Sequence, residues 1–512
     1  SCNSIIQQIM RSVINNILFF LLFPCLVKAQ GEDPAIRSDS SGGWHAGIEL
    51  QAGATSENAV PFWMRTNHFG SIPLSGVSGS LLAYAGRDYI KNEEKPRLTD
   101  WGFGLSGRLN AGNKAQFLLT EAYMKGRLSI FQLKAGRSKD IDGLADSSLS
   151  AGSFGVSGNA LGIPKIELSI PAYWYIPLTG KLVALKGSFA HGWFGETHLR
   201  YTRKDSSVHS WYHQTSLYGR IGKPGWRLKL YGGINHQVMW GHEKSIEPDF
   251  GLSTLESFWY VVRGKAYGSW VLPTSKIGNH LGSLDQGVQY DFNAFNIMAY
   301  HQFFYDIGGL YHGSNLKDGL WGIVFRNKKE EGKASFGWCK ILLEYFGSKS
   351  QGGEPDTPRL AISGAEDYYN NYTYAQGWTY EGENIGNNFL TQRKYARPGQ
   401  AMRDFENIVN NRVQLLHIGM EGFLGKWSWQ TKLSFSTNFG TYATNAAGGP
   451  TGRNGWIIYP PPYFEKVQQF SGYIAADRPL KNNYRIGFEL AIDRGKLLNN
   501  SAGGLIRVSR VW

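Results

Sequence analysis

Side chains able to do chemistry are densest in one stretch. Between Gly347 and Glu406 the rings of Tyr368, Tyr369, Tyr372, Tyr374, Trp378 and Tyr380 lie among Asn370, Asn371, Gln376, Glu381 and Asn384, and Arg393, Lys394 and Arg397 follow. Aromatic faces are apolar platforms for the C–H surfaces of sugars, while amides and carboxylates take the hydroxyls. The composition therefore predicts polysaccharide binding, with Tyr368, Tyr369, Tyr372, Trp378, Tyr380, Arg393 and Lys394 as contact residues. The alternative is that these rings pack the segment against its own scaffold.

Other motifs carry less. Gly102-Phe103-Gly104-Leu105-Ser106-Gly107 matches GxGxxG. A dinucleotide site needs that motif between a strand and a helix whose N-terminus holds the pyrophosphate. Here it lies inside an alternating, strand-like run. There is no P-loop, no GxSxG and no HExxH, and the histidines are not spaced as a metal pair with a cysteine. No catalytic residue, metal or cofactor is expected, and the chain is read as a non-enzyme. A Ser–His pair assembled in space obeys no spacing rule, so an outer-membrane hydrolase stays open as an alternative.

The elements that must hold these residues read almost throughout as strands. In Lys181–Trp193, Val183, Leu185, Phe189, His191 and Trp193 share one face, and Ala184, Lys186, Ser188, Ala190 and Gly192 the other. Trp101–Leu109, Trp226–Asn235, Trp427–Phe439 and Tyr484–Ile492 alternate in the same way, and their apolar faces begin or end in aromatics. Lipid outside and water inside, with aromatic girdles at both interfaces, require this pattern. Ala115–Met124 is the exception: Phe117 and Leu119 fall on one face, Leu118 and Met124 on the other. The fold class is all-β, a transmembrane outer-membrane β-barrel of roughly 16 to 20 antiparallel strands. Arg108, Arg227, Lys229 and Lys432 fall on the polar faces and are predicted to line the lumen. They motivate a second alternative, a diffusion porin for oligosaccharides or anions.

Bulk properties agree. The 512 residues include 64 glycines and 14% aromatics, with 42% apolar residues, the composition of large β proteins rather than helical membrane proteins. Residues 1–29 read as a cleaved signal peptide, with Arg11 as the basic region, Ile17–Val27 as the apolar run and Val27-Lys28-Ala29 as the cleavage site. Residues 30–43 form a periplasmic lead-in segment. Residues 44–512 form the barrel, with a long extracellular loop at 347–406. Cys2 and Cys25 lie in the leader, which leaves Cys339 alone and excludes an internal disulfide. The formal charge of +13 suits acidic partners. Lipopolysaccharide, outer-membrane lipid and capsular or exopolysaccharide are expected; nucleic acid is not. The final run Leu505–Trp512 resembles the tail read by the barrel-insertion machinery. A monomer is expected.

Four blocks carry a family resemblance: Pro61–Gly70 (PFWMRTNHFG); Ser157–Ala160, Ile163–Ile166 and His191–Phe194 (SGNA, IPKI and HGWF); Ile277–Ser283 (IGNHLGS); and, within Gly364–Gly386, EDYYNN, GWTY and Ile385-Gly386. Together they resemble the Wzi family of capsule-assembly outer-membrane proteins, in the form found in Bacteroidetes. The resemblance implies a barrel of about 18 strands that attaches or organises capsular polysaccharide by binding. The enterobacterial members carry a periplasmic helical bundle before the barrel. Residues 30–43 leave no room for one.

Overall fold

The computed structural model describes residues 43–74, 76–90, 98–200, 206–247, 249–268, 275–306, 315–328, 335–352, 366–450 and 456–512. The expected signal peptide, and the lead-in segment up to residue 42, lie outside the described residues.

Eighteen strands form one antiparallel sheet. They are β1 (Trp44–Thr55), β2 (Val77–Arg87), β3 (Thr99–Ala111), β4 (Gln116–Leu128), β5 (Phe131–Arg137), β6 (Lys165–Tyr175), β7 (Val183–His198), β8 (Ser207–Ile221), β9 (Leu228–Trp240), β10 (Asn279–Asp291), β11 (Phe295–Tyr305), β12 (Gly319–Asn327), β13 (Phe336–Gly347), β14 (Val413–Leu424), β15 (Trp427–Asn438), β16 (Val467–Pro479), β17 (Tyr484–Gly495) and β18 (Ser501–Val511). Each pairs with its sequence neighbours, and β1 pairs with β18, from Gly47 opposite Val511 to Thr55 opposite Gly503. The sheet thus closes and has no free edge, which is the condition for spanning a bilayer with strands.

Alternation decides which side chains face outward. Leu50, Leu105, Leu133, Leu168, Leu217, Leu230, Val288, Ile323, Leu343, Leu416, Phe435, Ile474, Leu490 and Ile506 are all exposed. So wide an apolar surface would be an aggregation liability in water and is the expected surface against lipid. Near the rim that carries the start of β1 and the end of β18, Trp44 packs edge-on to Trp101 and Phe103, and the Arg510 guanidinium lies 5.0 Å from the Trp512 ring centroid and 5.2 Å from that of Tyr484. Arg510 faces outward but reaches the aromatic girdle, so its charge can leave the hydrocarbon.

The irregular run Ala115–Met124 has a local cause. Ser106 pairs with Glu121 and Gly107 with Leu119, so Thr120 is an extra residue on β4. This β-bulge shifts the alternation by one. Phe117 and Leu119 face outward before it and Met124 after it. Thr120 turns its hydroxyl to Ser106.

The rim with the start of β1 and the end of β18 carries short turns, such as residues 129–130 and 425–426. The opposite rim carries the long connections 138–164, 241–278 and 348–412. In outer-membrane barrels the short turns are periplasmic, so the long connections belong to the outer mouth.

Candidate functional site

Two of these long connections fold into the barrel instead of projecting from it. Residues 138–164, between β5 and β6, cross the lumen and bind its wall on many sides. Asp140 pairs with Lys165 of β6 at 3.1 Å and with Lys134 of β5 at 3.0 Å. Asp142 accepts hydrogen bonds from the amides of Gln214 on β8 (2.8 Å) and Gln237 on β9 (2.7 Å). The Leu144 N–H donates to Asp285 on β10, and the Phe154 N–H to Gln302 on β11. Asp146 pairs with Lys340 of β13 at 2.8 Å and Arg326 of β12 at 3.0 Å. Glu344 of β13 accepts from Ser150 Oγ and the Ala151 N–H, and His417 Nε2 of β14 lies 2.7 Å from the Leu149 carbonyl. The segment's polar groups are thus satisfied by the wall, as burial of polar backbone demands.

Electrostatics differ along it. Burial raises the Asp140 carboxyl, but Lys165 and Lys134 overcome that and hold it below the usual carboxylate range. Asp146 is likewise held low by Lys340 and Arg326 against the effect of burial. Asp142 has no cation within ion-pair distance among the described residues. Burial pushes its carboxyl up to about 7, against a lowering by Lys165.

The described part of the second connection, residues 366–412, packs on top of the first. Tyr369 donates its hydroxyl to the Phe154 carbonyl, Trp378 Nε1 donates to the Gly155 carbonyl at 2.9 Å, and Asn387 Nδ2 donates to the Gly152 carbonyl at 2.6 Å. A Cβ at Gly386 would overlap the Tyr369 hydroxyl and the Phe154 carbonyl, so this crossing admits only glycine. Asn159 ties three segments together: its Nδ2 donates to the Gly386 carbonyl at 2.6 Å, and its Oδ1 accepts from the Asn67 N–H at 2.8 Å. The helical turn Phe62–Arg65 completes the plug. Its Phe62 N–H donates to Asp493 of β17, Trp63 Nε1 donates to Ser434 of β15, and Phe62 packs on Phe389 with centroids 4.4 Å apart. The blocks that suggested a family likeness therefore converge: Pro61–Gly70, Ser157–Ala160 and the EDYYNN, GWTY and Ile385-Gly386 elements meet inside the barrel.

This placement corrects the expected binding surface. Tyr368, Tyr369 and Trp378 are fully buried and Tyr380 is 6% exposed, because Tyr368 and Tyr369 pack on Phe154 of the first plug layer and Trp378 and Tyr380 pack on Phe194 of the barrel wall. Tyr380 receives a hydrogen bond from Arg137. Only Tyr372, 63% exposed, offers an open ring. Arg393 is spent on the backbone carbonyls of Arg403 and Glu406. Lys394 is exposed and pairs with Glu383 at 2.7 Å. The loop predicted to be extracellular at 347–406 is, in its described part, a lid seated in the mouth; residues 353–365 lie outside the described residues.

The predicted lumen cations also change meaning. Arg108 faces inward and donates to Gln51, Ser80 and Asn110. Lys229 faces inward and pairs with Asp291 at 3.2 Å. Lys432 faces inward with its Nζ 4.6 Å from the Trp63 ring centroid. Arg227 does not line the lumen: it is exposed on the turn before β9 and donates to Asn293, because β9 begins one residue later.

Sequence reasoning did not mark two surfaces at the outer rim. Arg403 lies 5.5 Å from the Tyr459 ring centroid, and Phe405 packs on the same ring. The two rings are far apart in sequence, so no local pattern signals them. An open cleft of about 690 Å³ lies above β1–β3, lined by Glu57, Asn58, Ser78 and Asn113 among others. Among the described residues a Ser–His pair is formed by His417, whose Nδ1 lies 2.8 Å from Ser434 Oγ. Both residues are 1% exposed and the other imidazole nitrogen meets a backbone carbonyl, so no substrate can reach that hydroxyl. Among the described residues, no group of three or more His, Cys, Asp or Glu is placed to hold a metal.

Fold and site together define a closed 18-strand barrel of the outer-membrane type, plugged from its outer mouth. No family model matches the sequence, and neither does any curated protein sequence. Among solved structures the chain is similar to Wzi, an outer-membrane protein involved in group 1 capsule assembly in Escherichia coli and described as a carbohydrate-binding β-barrel. The identity is 12%, over 92% of this chain and 84% of that one, with a TM-score of 0.52. Pseudomonas aeruginosa OccK11 (OpdR) follows at 11% identity, covering 95% of this chain and 99% of its own, with a TM-score of 0.43. OpdQ of the same organism is 10% identical over 92% and 98%, also with a TM-score of 0.43. At these identities the likeness to Wzi shows the fold alone, and the other two carry no argument.

Proposed function

We propose that this chain is a non-catalytic outer-membrane barrel of the Wzi type that binds or organises capsular or exopolysaccharide at its outer mouth. The observation that carries this reading is the filled lumen. Residues 138–164 are ion-paired or hydrogen-bonded to β5, β6 and β8–β14, and residues 366–412 seal them from above. A diffusion pore needs a continuous aqueous path, whereas a plugged barrel presents a fixed surface. The glycan contacts on that surface are Tyr372, Lys394 and the Arg403–Phe405–Tyr459 cluster, with the open cleft above β1–β3 as a polar extension. A barrel exported through a cleaved signal peptide, inserted by the outer-membrane assembly machinery and seated as a monomer among lipopolysaccharide fits this role.

Binding of the purified protein to the surface polysaccharide of its own organism tests the proposal. Tyr372→Ala combined with Tyr459→Ala is expected to weaken that binding about tenfold, or about 1.4 kcal/mol. Absence of binding by the unaltered protein, together with an unchanged surface glycan in a deletion strain, would overturn it.

A further inference from the structure

The connection from β9 to β10 touches the plug at its start, where His242 Nδ1 lies 2.9 Å from the Tyr374 hydroxyl, and then leaves the lumen. It carries a second kind of element, α1 (Thr254–Arg263), against the outside of the barrel. The Phe258 ring lies with its centroid 5.2 Å from His191, 6.2 Å from His213, 6.4 Å from Trp240 and 6.5 Å from Phe189. All four belong to outward-facing sets. Phe189 and Trp193 are exposed on β7. His213 and Trp240 alternate with Gln214 and Gln237, whose amides reach inward to Asp142. Val261 of α1 is fully buried and clusters with Val238, Trp240 and Ile277 on this outer wall.

The helix is held in one rotational setting. Ser253 and Glu256 form a capping box, and Gly264 ends the helix in the left-handed conformation. Ser257, Phe258 and Val261 face the wall. About a third of a turn away, Leu255, Trp259 and Val262 form a second apolar stripe at i, i+4 and i+7. Leu255 is 67% and Trp259 47% exposed. Glu256 and Arg263 take the polar side, with the Arg263 guanidinium 5.9 Å from the Trp259 ring centroid.

The wall under α1 explains its presence. Outward positions of four consecutive strands carry His191, His213, His236 and His280. His191 is directly opposite His213, Thr215 is opposite His236, and His280 Nδ1 lies 3.1 Å from His236 Nε2. Imidazole nitrogens turned to hydrocarbon lack partners and are costly there. Among the described residues, His191 Nδ1 and His213 Nδ1 have no hydrogen-bond partner. The Phe258 ring of α1 packs on both imidazoles, and the helix presents an exposed apolar stripe in their place.

We infer that α1 is an interfacial helix clamped to the outer wall of the barrel, with its Leu255–Trp259–Val262 stripe immersed in the outer leaflet, so that its partner is the lipid surface. An apolar stripe flanked by Trp and by the basic residues Arg263 and Lys265 has the character of a helix lying in the plane of the interface. The inference rests on the barrel alone and is independent of any glycan role.

Spin labelling of the full-length protein decides it. Cys2, Cys25 and Cys339 are replaced by serine, and a single nitroxide-labelled cysteine is placed by Leu255→Cys, Trp259→Cys, Glu256→Cys or, as a lipid-facing reference, Leu217→Cys. Each variant is refolded into dimyristoylphosphatidylcholine vesicles, and folding is confirmed by heat-modifiable gel mobility. Labels at 255 and 259 are expected to be accessible to oxygen and shielded from a water-soluble nickel chelate, like the label at 217, with an oxygen-to-nickel ratio several-fold above that at 256. Equal nickel accessibility at 255, 256 and 259 would place the helix in water and overturn the inference. Shielding of 255 and 259 from both reagents, with spin–spin broadening, would assign the stripe to a second copy of the chain and overturn it as well.

Discussion

Asp142 is the residue whose chemistry is most exposed to conditions. Its carboxyl is buried, receives two amide hydrogen bonds and titrates near 7, above the ordinary carboxylate value. The folded state therefore binds a proton more tightly than the unfolded chain does. Stability from this group is fully present below the unfolded value near 4 and is lost as pH rises through 7, by at most about 4 kcal/mol. Amide hydrogen-exchange protection of residues 138–164 is expected to fall between pH 5 and pH 8. Asp142→Asn, which keeps the shape and can still accept from one glutamine, is expected to flatten that dependence. A second residue-scale contrast separates packing from surface. Tyr369→Phe removes a hydroxyl that donates to Phe154 and accepts from the Asn387 N–H. It is expected to lower protection across 366–412 by about 1–3 kcal/mol. Tyr372→Ala, at an exposed ring, is expected to leave protection unchanged within about 0.5 kcal/mol.

Among the elements, the plug segment 138–164 is the one to remove. Its carboxylates neutralise Lys134, Lys165, Lys340 and Arg326. Replacing residues 143–157 by a short Gly-Ser linker leaves every barrel strand and every short hairpin of the opposite rim intact. The barrel is expected to fold and insert, because its ladder closes without the plug, and to show stepwise ion conductance in planar bilayers. An unchanged, closed bilayer would mean that residues 366–412 and the Phe62–Arg65 turn seal the lumen alone. Two element-level features escaped sequence reading for different reasons. The β4 bulge at Thr120 is a matter of pairing with β3, and no property of β4 itself fixes where the extra residue sits. The helix α1 was missed although its signals are present: Ser253-x-x-Glu256 before an apolar run, with Gly264 after it, is a capping box and a C-terminal stop.

At the scale of the whole molecule, the described residues form a closed barrel with two connections folded into its lumen. Of its +13 formal charge, the inward-facing Lys134, Lys165, Lys229, Lys340 and Arg507 are each paired with a carboxylate. The intact protein is expected to show negligible conductance in planar bilayers across the range of voltages at which porins stay open. Large, anion-selective steps from the unmodified chain would instead return the reading to a diffusion pore.

The amino-acid sequence by itself determined the wall. Lipid on one side and a polar interior on the other impose a two-residue period, and that period can be read locally on each strand, which is why the barrel, its outward residues and its interface aromatics were all legible. It also marked the segments that matter, since Pro61–Gly70, Ser157–Ala160 and Gly364–Gly386 carry the residues that lock the plug. What only the tertiary structure decided is the direction those segments take. A run of tyrosines, asparagines and glycines has the same composition whether it stacks on a sugar or on its own neighbour. The choice is made by partners hundreds of positions away, such as the Phe154 carbonyl under Tyr369 and the Gly386 carbonyl under Asn159.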